Sequence, residues 1–99
     1  MVDEKKVKAA VEFFMHNEFW KKVYEEAPSD KCRESYALTF YASTFIDDAR
    51  EDEDFFKKRD DVEDQLDLED WKYLYKYQGN NPGKLKIKNK IKELGGSVG

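Results

Sequence analysis

Residues 30–46 read DKCRESYALTFYASTFI. The apolar side chains of this stretch recur three and four residues apart, which is the spacing of one face of an α-helix. One face carries Arg33, Ala37, Phe40, Tyr41, Thr44 and Phe45, and Leu38, Ala42 and Ile46 widen it. Pro28 ends the preceding segment, and Ser29 or Asp30 can cap a new helix. We therefore predict a central helix from Asp30 to Ile46.

Two more apolar stripes precede this helix. The first contains Val7, Ala10, Val11, Phe14 and Met15, and the second contains Phe19, Trp20, Val23, Tyr24 and Ala27. Asp3 is placed to cap the first helix. At about 100° per residue the stripes point in opposite directions. Either the helix breaks near His16 and Asn17, with Asn17 capping a second helix, or one long helix is buried on opposite faces at its two ends. The break is the preferred interpretation.

The C-terminal half continues the helical pattern. Apolar spacing predicts an acidic fourth helix over 48–66, half buried, and a fifth helix that runs through Tyr77. Asp67 and Asp70 are spaced as a capping pair at the start of the fifth helix, with Leu66 able to pack onto Trp71. Each helix thus has its own start signal.

A turn separates this half from the end of the chain. Gly79 can end the fifth helix, and Asn80-Asn81-Pro82-Gly83 is a turn sequence. Beyond it, Ile87, Ile91 and Leu94 lie at helical spacing, although residues 84–91 also alternate apolar residues with lysines, as a strand does. The helix is favoured because Gly95 and Gly96 supply a stop and no second strand is visible.

These elements together predict an all-α fold, a compact bundle of five or six short helices. With 99 residues the chain is long enough for one ordinary domain. We expect residues 1–94 to form that single helical domain and residues 95–99 to form a flexible C-terminal tail.

Composition excludes several classes of protein. Cys32 is the only cysteine, so the chain holds neither an internal disulfide nor a cysteine-based zinc site. No run approaches the ~18 apolar residues that a membrane span requires, and no signal peptide is recognisable. We expect no membrane span, and a cytoplasmic location follows by default.

The sequence contains no catalytic motif that we recognise. His16 is the only histidine, and a histidine at a helix end more often interacts with terminal carbonyls than with a substrate. The acidic run at 47–54 lacks the glycine and the spacing of a calcium-binding loop. We therefore expect a protein that is not an enzyme, with no catalytic residue, no metal ligand and no cofactor.

Charge is distributed unevenly along the chain. Residues 47–70 contain 13 acidic and four basic residues, whereas residues 71–99 contain seven lysines and one glutamate. The basic segment 84–92 forms an amphipathic helix that can pack on the fold or bind a partner. The candidate partner-binding residues are Lys84, Lys86, Lys88, Lys90, Lys92, Tyr73 and Tyr77.

Two functions fit this pattern. The first is a small protein-protein interaction or regulatory module whose acidic face (47–70) and basic face (84–92) recognise another protein or a second copy of the chain. The alternative is a nucleic-acid-associated regulator that uses the C-terminal lysine-rich helix, with Tyr73 and Tyr77 available for stacking.

Overall fold

The computed structural model describes residues 2–77 and 83–96, which form an all-α fold of seven helices with no strand. The helices are α1 Glu4–Phe14, α2 Glu18–Glu25, α3 Asp30–Thr44, α4 Ile46–Glu51, α5 Glu53–Asp64, α6 Leu68–Tyr77 and α7 Gly83–Glu93. The all-α prediction is confirmed, and the segment 84–91 is a helix rather than a strand. Gly79, the first three residues of the turn predicted at 80–83 and the tail residues 97–99 lie outside the described residues, and Gly83 is the first residue of α7.

The predicted break between α1 and α2 is present. Asn17 adopts an extended backbone, and its side-chain oxygen accepts hydrogen bonds from the backbone N–H groups of Phe19 and Trp20 at 2.9 and 3.3 Å. This is the geometry of an N-cap, and it satisfies two donors that a helix start leaves unpaired. The break allows both apolar stripes to turn toward α3.

Helix α3 is central, as predicted, but it ends at Thr44. Its buried side chains include Tyr36, Phe40 and Tyr41, and Phe14 of α1 stacks on Phe40 at a ring distance of 4.2 Å. Phe45 leaves the helical conformation. The expectation that Ile46 widens the apolar face of α3 is wrong, because Ile46 starts α4 and is exposed.

The acidic segment forms two helices where the sequence predicted one, which raises the count to seven. Asp52 has an extended backbone between α4 and α5, and its carboxylate accepts a hydrogen bond from the Asp54 N–H at 2.9 Å. An aspartate is a good N-cap because its side chain competes for backbone donors. Helix α5, the second of these two helices, buries Phe55 and Val62.

Asp70 joins the starts of α3 and α6. Its Oδ1 accepts a hydrogen bond from the Ser29 hydroxyl at 2.7 Å, and its Oδ2 accepts one from the Asp67 N–H at 3.1 Å. The Asp67 carboxylate accepts in return from the Asp70 N–H at 2.9 Å, which confirms the predicted capping pair. Ser29 also caps α3 by accepting from the Cys32 N–H at 3.1 Å. One buried carboxylate therefore satisfies groups at two helix starts.

Helix α7 packs on the fold through two isoleucines. Ile87 and Ile91 are buried, and burying an isoleucine side chain stabilises a fold by roughly 1.5–3 kcal/mol. The third residue of the predicted stripe, Leu94, is 46% exposed, so the stripe is one residue shorter than expected. Gly95 ends the helix with φ +84°, and the Gly96 N–H donates to the Ile91 carbonyl at 2.9 Å. This is a helix C-terminal motif that favours glycine.

We expect Asp70→Ala to lower the free energy of unfolding by about 3 kcal/mol, because the Ser29 hydroxyl and the Asp67 N–H lose their acceptor at a buried position. Asp70→Asn keeps one oxygen acceptor and should cost less. Glu69→Ala is the matched control, since Glu69 lies in the same helical turn but is exposed. Urea denaturation measures all three, and equal losses for Asp70→Ala and Glu69→Ala would contradict the assignment.

The position of α7 is tested by a pair of truncations. Ile91 is 1% exposed, so Ile91→Ala should cost about 3 kcal/mol through lost burial and the cavity left behind. Leu94→Ala removes a half-exposed side chain and should cost less than about 1 kcal/mol. Similar small losses for both variants in urea denaturation would show that α7 is not part of the core.

Candidate functional site

The five candidate lysines of α7 fall into three environments. Lys86 Nζ lies 2.7 Å from Glu63 Oε2 of α5, and Lys90 Nζ lies 3.6 Å from Glu93 Oε2. Lys84 Nζ lies 4.7 Å from the centre of the Tyr75 ring. Lys88 and Lys92 make no ion pair with any residue in the described ranges 2–77 and 83–96. The basic face is therefore partly used inside the fold and partly available.

The two candidate tyrosines lie on a different side of α6. The Tyr73 hydroxyl donates a hydrogen bond to the Val23 carbonyl at 2.7 Å, and the Tyr73 and Tyr77 rings are 4.7 Å apart. Tyr77 also contacts Phe19 of α2 at a ring distance of 6.2 Å. The tyrosine beside the α7 lysines is Tyr75. The structure therefore does not bring Tyr73 and Tyr77 together with the basic face.

The acidic residues also divide by role. Asp48 accepts a hydrogen bond from Lys6 at 2.8 Å, Asp70 is buried between α3 and α6, and Glu63 pairs with Lys86. The carboxylates that remain exposed on α5 include Asp60 and Asp64. Exposed carboxylates of the segment 47–70 therefore occur on α4, on α5 and at the start of α6, whereas Asp70 is buried.

An exposed aromatic surface lies where α1 meets α2. Phe13 is 66% exposed and Phe19 is 54% exposed. Together with neighbouring rings they form the aromatic patch, which consists of Phe13, Phe14, Phe19, Trp20 and Tyr77. Edge-on contacts join consecutive members, with ring distances of 5.9 Å for Phe13 and Phe14, 6.3 Å for Phe14 and Trp20, and 5.1 Å for Phe19 and Trp20.

An open depression of about 500 Å³ lies on the aromatic patch. It is lined by Phe13, Phe14, His16, Asn17 and Trp20. Two exposed carboxylates, Glu12 and Glu18, adjoin the exposed phenylalanines in the chain. Lys76 Nζ lies 5.2 Å from the centre of the Tyr77 ring, so the patch has basic as well as acidic neighbours. The depression is open enough for a protein side chain to enter.

Sequence reasoning missed the aromatic patch because it assigned Phe14, Phe19 and Trp20 to inward stripes and gave Phe13 no role. A signal was present, since the segment contains two pairs of adjacent aromatic residues. Adjacent helical residues point about 100° apart, so both members of such a pair are rarely buried on one face. Phe13 and Phe19 are the members that face outward.

The groups most suited to chemistry are isolated from one another. Within the described residues, no three His, Cys, Asp or Glu side chains are grouped to hold a metal ion. His16 is exposed beside the aromatic patch, whereas Cys32 is completely buried. Burial raises the pKa of the Cys32 thiol from 9.0 to about 12 and also raises the pKa of the Tyr36 hydroxyl. A protonated, buried thiol is a poor nucleophile.

The comparisons with known proteins add no assignment. No protein-family model, no curated protein and no solved structure matches the chain. Among the described helices, none has the length and apolar character needed to cross a membrane.

The raised pKa of Cys32 predicts a pH dependence of stability. The unfolded thiol ionises near 9.0, whereas the folded thiol stays protonated until about 12. The protonated Cys32 thiol contributes to stability in full below the pKa that it has in the unfolded chain. This contribution is lost as pH rises toward the pKa of the folded thiol. Between about pH 8 and about pH 10.5, the free energy of unfolding of the wild type should therefore fall by about 2 kcal/mol more than that of Cys32→Ala.

Urea denaturation at both pH values measures this difference. Only the change with pH is compared, because Cys32→Ala also leaves a small cavity. The tyrosines are common to both proteins, so their ionisation cancels. If stability falls equally with pH in the two proteins, the Cys32 thiol ionises as readily in the folded state as in the unfolded state.

Proposed function

We propose that this protein is a non-enzymatic interaction module and that its partner is another protein bound at the aromatic patch. The observation that carries the proposal is the exposure of Phe13 and Phe19, two large apolar side chains on one continuous surface. Exposed apolar patches on folded domains mark interaction sites, and large aromatic side chains supply much of the binding energy at protein interfaces.

Aromatic content, rather than charge, favours a protein partner at this surface. Glu12 and Glu18 adjoin the two phenylalanines in the chain, and Lys76 lies over the Tyr77 ring at 5.2 Å, so charges of both signs border the patch. A peptide segment with a large apolar side chain complements the exposed rings. We therefore expect the partner to present such a segment.

The aromatic patch is also held in place before binding. The Asn17 cap fixes the turn between α1 and α2, and the contact between Phe19 and Tyr77 ties α2 to α6. A surface that is already ordered loses less conformational entropy when a partner binds. The acidic residues of α5 and the basic residues of α7 can add steering of charged partners at longer range.

A second candidate function is a nucleic-acid-associated regulator that uses α7. The observation that favours it is that Lys88 and Lys92 make no ion pair with a residue of the described chain, so both can contact phosphates. Binding of this kind depends steeply on salt and shows little preference for sequence, because lysines read charge rather than base edges. The two functions use different surfaces and can be separated by one experiment.

We expect a photo-crosslinking phenylalanine analogue placed at Phe13 to form a discrete protein adduct in the native cell. Phe13 is exposed, so the analogue is accommodated without repacking. The measurement is the mass of the adduct after irradiation and the identity of the captured protein by mass spectrometry. Adding Phe19→Ser to the same chain should reduce the adduct at least about tenfold, since aromatic interface residues contribute about 1–2 kcal/mol or more.

The control places the same analogue at Lys92, on the basic face. A protein adduct at Phe13 that is absent at Lys92 supports the aromatic patch as the binding site. Crosslinking to nucleic acid at Lys92, with no adduct at Phe13, supports the second function instead. A Phe13 adduct that is insensitive to Phe19→Ser would contradict the assignment of the patch.

A further inference from the structure

We propose that copies of this chain associate with one another by docking the outer face of α7 on the outer face of α5. This contact is separate from the aromatic patch and does not depend on the proposed function. It rests on two stripes that match in charge, in apolar content and in spacing.

The basic stripe runs along α7 and consists of Leu85, Lys88 and Lys92. Leu85 is 66% exposed, and the two lysines follow it at i+3 and i+7, which places all three on one helical face. Neither lysine has an acidic partner within the described ranges 2–77 and 83–96. The stripe therefore presents the exposed Leu85, the half-buried Lys88 and the exposed Lys92, and neither lysine is paired with an acidic residue of the described chain.

The acidic stripe runs along α5 and consists of Phe56, Asp60 and Asp64. Phe56 is 38% exposed, and the two aspartates follow it at i+4 and i+8. Asp60 lies at the 4.0 Å limit of an ion pair with Arg59, and both carboxylates are exposed. Arg59 also lies over the Phe56 ring at 5.1 Å, so the stripe presents one partly covered aromatic side chain followed by two anions.

The two stripes match when the helices run parallel. If Leu85 contacts Phe56, Lys88 and Asp60 lie about 4.5 and 6 Å further along their helices, at 1.5 Å per residue. Lys92 and Asp64 then lie about 10.5 and 12 Å along their helices from Leu85 and Phe56. Each pair is offset by about 1.5 Å, which long lysine side chains can span.

The stripe on α7 cannot pair with α5 of its own chain. Lys86 already contacts Glu63 of α5 at 2.7 Å. Lys88 follows Lys86 by two residues, so it points about 200° away around the helix. The lysines of the stripe are thus directed away from α5, the helix with which α7 forms an ion pair among the described residues, and a second copy is required to bring the stripes together.

The end of α5 supplies an independent reason for a cationic partner. Asp61, Glu63 and Asp64 occupy its last turn, which contains no basic residue. Carboxylates are unfavourable there because the helix dipole places partial negative charge at this end. Lys86 of the same chain forms an ion pair with Glu63 and offsets its negative charge. Lys92 of another copy would do the same for Asp64.

The two stripes lie on different helices, so a single contact leaves one stripe unpaired on each copy. Association closes as a pair if a two-fold axis forms both contacts, and otherwise it extends to a ring or a chain. The interface is small and rich in charge, so we expect weak, reversible association that depends on salt. Sedimentation velocity from about 0.05 to about 1 mM protein, at about 20 mM and about 500 mM salt, covers this range. The average mass should rise with concentration at low salt and fall back to one chain at high salt.

Two charge-reversed variants test the match between the stripes. Lys88→Glu with Lys92→Glu makes both stripes acidic, and Asp60→Lys with Asp64→Lys makes both basic. Each variant alone should remain a monomer. Mixed in equal amounts they should associate again, because each then meets an oppositely charged stripe. Restoration by mixing is not expected if either substitution merely damages the fold.

Lys8→Glu with Lys21→Glu is the matched control, since it changes net charge equally at exposed sites on α1 and α2. This control should associate like wild type, and Leu85→Ser should weaken association at least about fivefold through the lost apolar contact. A wild-type monomer at about 1 mM protein in low salt overturns the proposal. Association that survives both charge reversals, or a mixture that stays monomeric, also overturns it.

Discussion

The buried carboxylate of Asp70 is the interaction on which the arrangement of helices depends. It accepts from the Ser29 hydroxyl and from the Asp67 N–H, while Ser29 caps α3 and Asp67 caps α6. Both helix starts carry partial positive charge, so a shared anion stabilises them together. This contact sets where α6 begins relative to the central helix α3, and the rest of the C-terminal half follows from it.

Helix α6 then separates the two surfaces for which we propose functions. Its buried side, with Trp71 and Leu74, packs into the core. Tyr73 and Tyr77 lie on the flank that contacts α2, and Tyr75 lies on the flank beside Lys84 of α7. The aromatic patch and the basic face are therefore on different sides of one helix.

Local signals predicted much of the fold. Asn17, and Asp67 with Asp70, are caps that act within three residues along the chain, and the helices they start are where the sequence placed them. The cap at Asp52 was missed because it lies in a run of acidic residues. In such a run, the sequence does not distinguish an aspartate that caps a helix from neighbouring acidic residues that face solvent. The all-α fold was predictable, whereas the division of its acidic region was not.

The candidate surface was less predictable. The lysines of α7 were identified as a group, but the tyrosines proposed to accompany them pack elsewhere. Phe13 received no role and Phe19 was assigned to a buried stripe, because helical periodicity indicates which face is buried but not how far around the helix the core extends. Leu94 shows the same limit, since it continues the stripe of Ile87 and Ile91 and yet is 46% exposed.

Local sequence was enough to predict an all-α chain and several helix starts, such as those at Asn17 and at Asp67 with Asp70. These properties depend on hydrogen bonds and side chains within about one helical turn. The packing of the helices was needed to establish that Lys86 pairs with Glu63 while Lys88 does not, and that Phe13 and Phe19 face outward. Those outcomes depend on contacts between residues far apart in the chain, such as Tyr73 with Val23, and no local pattern encodes them.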